Sequence, residues 1–168
     1  MTDEQLKQQL KTLESGDKTA FAAIYSELKT PVFTVLVRLT GDRTLSEDLL
    51  QEVFLRLYRQ PPKAEKPRAY VFRMARNLAI DALRQKRLTE AIEEQQLYGE
   101  PDFGLKLDLE RALAALTVEE RQMVALHLSA GLTFREVAAI VERPLGTVLW
   151  RYRKAIEKLR ILLDGGRI

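Results

Sequence analysis

The sequence predicts an all-α protein, two small helical domains joined by an acidic linker. Three observations carry that prediction. Apolar residues recur every three or four positions, as in Leu6, Leu10 and Leu13, or in Val148, Tyr152, Ala155, Leu159 and Leu162. No stretch of useful length alternates apolar and polar residues as a half-buried strand would. Residues 88–105 are acidic and interrupted by Gly99, Pro101 and Gly104, which separates a first domain, 1–87, from a second, 106–168.

The first domain reads as a bundle of about four helices. Leu6, Leu10 and Leu13 mark the first, ended by Ser15-Gly16-Asp17, and Asp17 is placed to cap the next, which carries Phe21, Ile24, Tyr25 and Leu28. Thr30-Pro31 is expected to start a new helix as N-cap and first helical residue, running to Gly41. Thr44 and Glu47 have the spacing of a capping box for a helix through Leu49, Leu50, Val53, Phe54 and Leu57. Pro61-Pro62 ends it, the short basic loop Lys63–Lys66 follows, and Pro67 starts a long helix to about Arg87. In the second domain a helix over Leu105–Leu116 precedes one capped by Thr117 with Glu120 and continuing through Met123, Val124, Leu126 and Leu128. Gly165-Gly166 is the expected end of ordered structure.

Within that domain, Thr133 and Glu136 form a capping box for a short helix with Val137, Ala138 and Val141 on one face. Glu142-Arg143-Pro144 breaks it, and a longer helix begins near Leu145. Thr147, Arg151, Lys154 and Lys158 step along that helix on a face of their own, with Trp150 at its border and Arg153 nearby. Between Pro144 and Leu163 five basic residues meet one acid, Glu157, which is not the balance of a salt-bridged solvent face. Two helices, a tight turn and a basic second helix make a helix-turn-helix suited to a DNA major groove.

Charge distribution agrees. The net charge of +3 divides into −1 over residues 1–60, +6 over 61–88, −6 over 89–110 and +4 over 111–168, so two basic segments flank an acidic one. In the first basic segment, Val71, Met74, Ala75, Leu78 and Ala82 form an inward stripe, while Arg73, Arg76, Asn77 and Arg84 lie off it. Tyr70 and Phe72 are either core or stacking surfaces. Asn77 is a poor helix former at mid-helix, either bonded to a carbonyl one turn back or presented to a base edge. Aromatics, arginines and an amide beside the basic loop with Lys63 and Lys66 suit single-stranded nucleic acid.

Other chemistry is excluded more simply. The chain has no Cys and one His, His127, which removes disulfides and makes a zinc site or any cofactor-bearing metal centre unexpected. It also lacks a Gly-rich phosphate loop, and Ser129 near His127 has no third group in view, so no enzyme is expected and His127 reads as a core or interfacial residue. Met1–Gln5 lacks the features of a signal peptide, and no apolar run is expected to span a membrane; a cytoplasmic location fits the absence of Cys.

Three stretches together resemble the extracytoplasmic-function group of the bacterial sigma-70 family. They are Ser46–Tyr58, Ala69–Arg84, and Leu132–Lys154 with its Gly146-Thr147-Val148 core, and they fall in the family's order. The resemblance implies that residues 1–87 melt the promoter −10 element, using Lys63, Lys66, Tyr70, Arg73, Arg76, Asn77 and Arg84. It implies that Thr147, Trp150, Arg151, Arg153, Lys154 and Lys158 of 106–168 read the −35 duplex. Asp48, Gln51 and Glu52 match the helix that docks on the clamp coiled coil of core RNA polymerase. The acidic linker matches the segment that threads through polymerase, whose flap is a further contact. The implied partners are core polymerase, promoter DNA and an anti-sigma factor, with a monomer when free. Leu149 and Trp150 depart from the family, which usually has a basic residue and Ser there; Trp150 either touches sugar or a thymine methyl or packs on a partner. The rival expectation is a stand-alone dimeric helix-turn-helix regulator, which the basic helix of the first domain disfavours.

Overall fold

A computed structural model of the chain describes residues 1–93 and 107–165. Among the described residues the regular secondary structure is helical, with no strand. Most of the linker assigned to 88–105 therefore lies outside the described residues, as do residues 166–168.

Helix α1, Asp3–Glu14, opens on a reciprocal cap between Thr2 and Gln5 and buries Leu6, Leu10 and Leu13. Helix α2, Lys18–Thr40, is capped by Asp17 and ends at Gly41, whose φ of 67° no β-carbon hinders. It is the central element, touching α1, the next two helices and the second half of the chain. Pro31 lies inside it, so the expected restart at Thr30-Pro31 is wrong. Proline removes one donor and crowds one carbonyl there, but Leu28, Val32, Val35, Leu36 and Leu39 are fully buried around it, and that packing holds the helix continuous. Among the described residues α2 is also the one helix long and apolar enough to cross a membrane by length and composition, contrary to expectation; those apolar residues line the protein core.

Helix α3, Arg43–Arg59, is capped by Asp42, whose carboxylate accepts from Leu45 N at 3.0 Å. Thr44 is therefore inside the helix, and the Thr44–Glu47 box does not form: an acceptor two residues earlier takes the free N–H first. Helix α4, Pro67–Glu93, begins at the expected proline and continues six residues past Arg87, into the segment read as linker. Phe72 is fully buried in it, whereas Tyr70 is exposed and Ala82 is half-buried.

Helix α5, Leu107–Ala114, ends two residues before the expected Leu116, and the expected start at Leu105 lies outside the described residues. Helix α6, Val118–Val124, carries the expected Thr117 cap, then widens into a π-helical turn over Ala125–Ser129 that leaves Leu128 exposed. Gly131, at φ 71°, closes the turn. Helix α7, Phe134–Val141, has both bonds of the Thr133–Glu136 box, and α8, Leu145–Gly165, begins after the Pro144 break. Val148, Ala155 and Leu159 of its stripe are buried, but Leu162 is exposed near the helix end, where Leu163 packs instead.

The two halves are not independent bodies. One apolar cluster runs from Leu6, Ile24, Leu36, Leu57 and Phe72 of the first half to Leu126, Ala130, Leu132, Val137 and Val148 of the second. The π-helical turn packs on α2, and α7 on α4. A smaller cluster of Leu113, Leu116, Val124, Ala155 and Leu159 joins α5, α6 and α8.

Candidate nucleic-acid interface

The loop between α3 and α4 is held by α1. Lys63 pairs with Glu14 at 3.2 Å, Glu65 with Lys7 at 3.1 Å, and Asp3 accepts from Arg68 N at 3.1 Å at the start of α4. Two prolines at its start and Pro67 at its end limit the backbone further. A cleft of ≈ 700 Å³ opens between this loop, Tyr58 and Tyr70. A second, of ≈ 340 Å³, is lined by Arg56, Tyr70, Arg73, Met74, Asn77, Leu78 and Asp81. Tyr70, 44% exposed, belongs to both. Tyr70 thus joins two adjacent clefts into one groove, with Lys63 bordering the first and Arg73 and Asn77 the second; an aromatic face, two cations and an amide are groups that suit single-stranded nucleic acid.

The remaining residues of that set are placed differently. Lys66 is exposed on the loop. Arg84 lies farther along α4 and approaches Asp81 at 3.9 Å. Arg76 turns toward the second half, where its Nε donates to Gln122 Oε1 at 2.8 Å. Burial lowers the Arg76 guanidinium pKa, opposed by the nearby Glu142 carboxylate. Asn77 is exposed, and its Oδ1 accepts from Arg76 at 3.0 Å rather than its side chain bonding a carbonyl one turn back.

On α8, Trp150 is 57% exposed, with Lys154 Nζ 4.6 Å from its ring centroid, and Arg153 is exposed beside them. Thr147 is half-buried one turn before. Two members of the expected face have partners on α6. Arg151 is ion-paired with Glu119, which Arg143 also approaches at 3.6 Å. Lys158 donates to Glu120 Oε1 at 2.7 Å. Glu120 is buried; burial raises its pKa, but hydrogen bonds from Lys158 and Thr117 outweigh that and hold it below the usual value of 4.5. A cleft of ≈ 500 Å³ between α6, α8 and Arg87 of α4 is bordered by Trp150, Arg151, Lys154 and Lys158.

The outward face of α3 presents Asp48 and Gln51, with Glu52 half-buried and bonded to Arg56 Nε at 2.7 Å. Sequence reasoning missed Leu55, 41% exposed one turn beyond Gln51. An apolar residue in line with Asp48 and Gln51 was the available signal. His127 stacks on Phe134 at 3.9 Å between centroids, its Nδ1 2.8 Å from the Leu132 carbonyl, which is the packed role expected. Ser129 Oγ accepts from the Arg38 guanidinium.

The chain is similar to known proteins in sequence and in fold. Residues 24–89 match the family model for sigma-70 region 2, and residues 112–160 the model for sigma-70 region 4. The chain is 29% identical over 163 residues to the extracytoplasmic-function RNA polymerase sigma factor SigL of Mycobacterium tuberculosis, covering 89% of this chain and 92% of that protein. It is 29% identical over 173 residues to SigK of Mycobacterium ulcerans, covering 92% and 91%. Among solved structures, CnrH in complex with the cytosolic domain of CnrY superposes with a TM-score of 0.71 at 21% identity, covering 96% of this chain and 98% of that one. The sigma factor RpoE in complex with the anti-sigma factor NepR from Bartonella quintana gives 0.70 at 20% identity, covering 84% and 97%. At these identities the structural likeness speaks for the fold.

Proposed function

The chain belongs to the extracytoplasmic-function group of the sigma-70 family, and from that membership we propose how its surfaces divide the work of directing RNA polymerase to promoters. The groove with Lys63, Tyr70, Arg73 and Asn77 takes the −10 strand once it is unpaired. Tyr70 offers a stacking face, Arg73 and Lys63 meet the backbone, and Asn77 presents an amide to a base edge. Trp150, Arg153 and Lys154 face the −35 duplex from α8, with Thr147 and Arg151 at the flanks. Asp48, Gln51, Glu52 and Leu55 form the face of α3 that docks on core polymerase. Residues 1–93 carry the first of these roles and residues 107–165 the second.

The observation that carries this reading is the groove itself. Side chains from the loop and from two successive turns of α4 converge there. A duplex-reading regulator has no use for such a site away from its helix-turn-helix. The protein works in the cytoplasm, contributes no catalysis of its own and is held inactive by an anti-sigma factor. The relatives' names and the neighbour solved with an anti-sigma factor support that reading. Run-off transcription with purified core polymerase on a promoter selected from random DNA tests it. Core-dependent, sequence-specific transcripts are expected; tight operator binding by a dimer without polymerase would transfer the chain to the regulators.

A further inference from the structure

The loop that borders the groove has little backbone support of its own. Among the described residues no backbone–backbone hydrogen bond reaches residues 61–65, so the shape of the loop depends on its prolines and on what its side chains meet. The start of α4 has the same need. Pro67 brings no N–H to the first turn, and Lys66 before it has no side-chain acceptor to serve as a cap. The first free donor, Arg68 N, is capped instead by Asp3, 65 positions earlier, a carboxylate where the helix dipole favours one.

Helix α1 supplies every one of these supports from one stripe. Asp3, Lys7 and Glu14 are spaced i, i+4 and i+11, within about 40° of arc on a helix. The stripe runs beside Leu6, Leu10 and Leu13, whose burial in the core fixes the helix. Its charges alternate and so do those they meet, Glu14 with Lys63 and Lys7 with Glu65. Leu13 and Glu14 also line the ≈ 700 Å³ cleft together with Tyr58, Lys63 and Tyr70. Tyr70 stands on the first turn of α4, its N–H donating to Lys66 O at 3.1 Å, directly after the end that Asp3 caps.

We propose that Asp3 and Glu14 are positioning residues for the −10 strand: through the α4 end and through Lys63 they set where Tyr70 and Lys63 stand across the cleft, and so which bases the groove favours. The inference rests on the −10 reading of the groove and adds residues outside it. Glu14 has two opposed effects, since it screens Lys63 from phosphate and also fixes its place. Lys63 is 80% exposed and its ammonium carries three donors, so it can hold Glu14 and meet a phosphate together. Positioning is therefore the larger effect.

Holoenzyme made from core polymerase and the full chain, on a promoter with randomised −10 positions, tests this. Transcript sequencing reads base preference, permanganate reads opening, and calorimetry reads Tm. Asp3→Ala should slow opening by about fivefold and flatten the preference, whereas Asp3→Asn should keep both, because an amide oxygen caps as a carboxylate does. Glu14→Gln should flatten the preference by up to about fivefold. Glu65 is 98% exposed, so Glu65→Lys decides the matter even where Asp3→Ala fails to fold. It should flatten the preference, and adding Lys7→Glu, which returns the wild-type net charge, should restore it. Variants that lose Tm but keep the wild-type preference would reduce α1 to a structural support and overturn the proposal. So would a Glu14→Gln chain that binds every −10 strand more tightly with a steeper salt slope, the mark of screening alone. A wild-type holoenzyme that opens no promoter would overturn the −10 reading, and the positioning role with it.

Discussion

Lys154 and Lys158 are the same residue type one turn apart on the basic side of α8, yet the structure gives them different work. Lys154 rests on the Trp150 ring at the surface. Lys158 donates at 2.7 Å to Glu120, a carboxylate 6% exposed that also accepts from the Thr117 hydroxyl at 3.0 Å. Breaking a buried ion pair costs roughly 3–5 kcal/mol. Lys158 is 41% exposed, so solvent recovers part of that, leaving about 2 kcal/mol for Lys158→Met. In a chain of 168 residues this lowers Tm by about 4–8 °C. A carboxyl held below its usual pKa stabilises the fold above that value and surrenders the stabilisation as pH falls through its folded pKa. The Tm gap between wild type and Lys158→Met should therefore be full at neutral pH and close as pH drops below 4.5, the usual value for Glu120. Lys154→Ala should leave stability within about 0.5 kcal/mol of wild type and reduce the salt slope of −35 binding by about one unit. Calorimetry from pH 7 to 3 and salt titrations of holoenzyme on a −35 duplex measure both. A Tm gap that persists unchanged at pH 3, or a Lys158→Met variant as stable as wild type, would refute the assignment of Lys158 to Glu120.

Two further outcomes bear on the other surfaces. Asn77→Ala should leave core binding and −35 contacts intact but reduce open-complex formation, and permanganate reactivity of unpaired thymines reads this; normal reactivity would return Asn77 to an ordinary surface amide. Leu55→Ala should weaken core binding by about tenfold, as expected for an apolar anchor of roughly 1–2 kcal/mol, with Tm nearly unchanged because the residue is exposed when free. Asp48→Lys should weaken it through charge, an effect that fades with added salt, whereas equal affinity in both variants would move the docking face elsewhere on the molecule.

What could be read in the sequence was local. Thr133 with Glu136 and Thr117 with Glu120 were legible because donor and acceptor lie three residues apart, within one turn of the backbone. The groove was legible in part, since Tyr70, Arg73 and Asn77 fall within two turns of one helix. Pro31 was misread because a local rule was outweighed by the packing of α2 on both sides of it. The partners of the basic residues were not legible at all. Arg76 meets Gln122 across 46 positions and Lys158 meets Glu120 across 38, separations at which no periodicity speaks. Nor does composition reveal the shared core, because Leu126 and Val137 would look equally apolar facing their own half or the other.

Those distant pairings change what the charge pattern means. Counted along the chain, residues 61–88 and 111–168 look like two free basic surfaces, +6 and +4. In the folded chain Glu142 stands against Arg73, Glu119 against Arg143 and Arg151, and Glu120 against Lys158. The second basic segment thus supplies acids that neutralise cations of both halves. When such an arginine passes to DNA it exchanges a carboxylate for a phosphate, so the charge it presents to the duplex is partly spent beforehand. Counterion release per contact is then smaller than for an unpaired cation. The salt slope of the free chain should accordingly understate the number of phosphates it touches, and a variant such as Glu142→Gln raises the slope without adding a contact. Affinity and basic-residue count are separated in this protein by where its acids fold to.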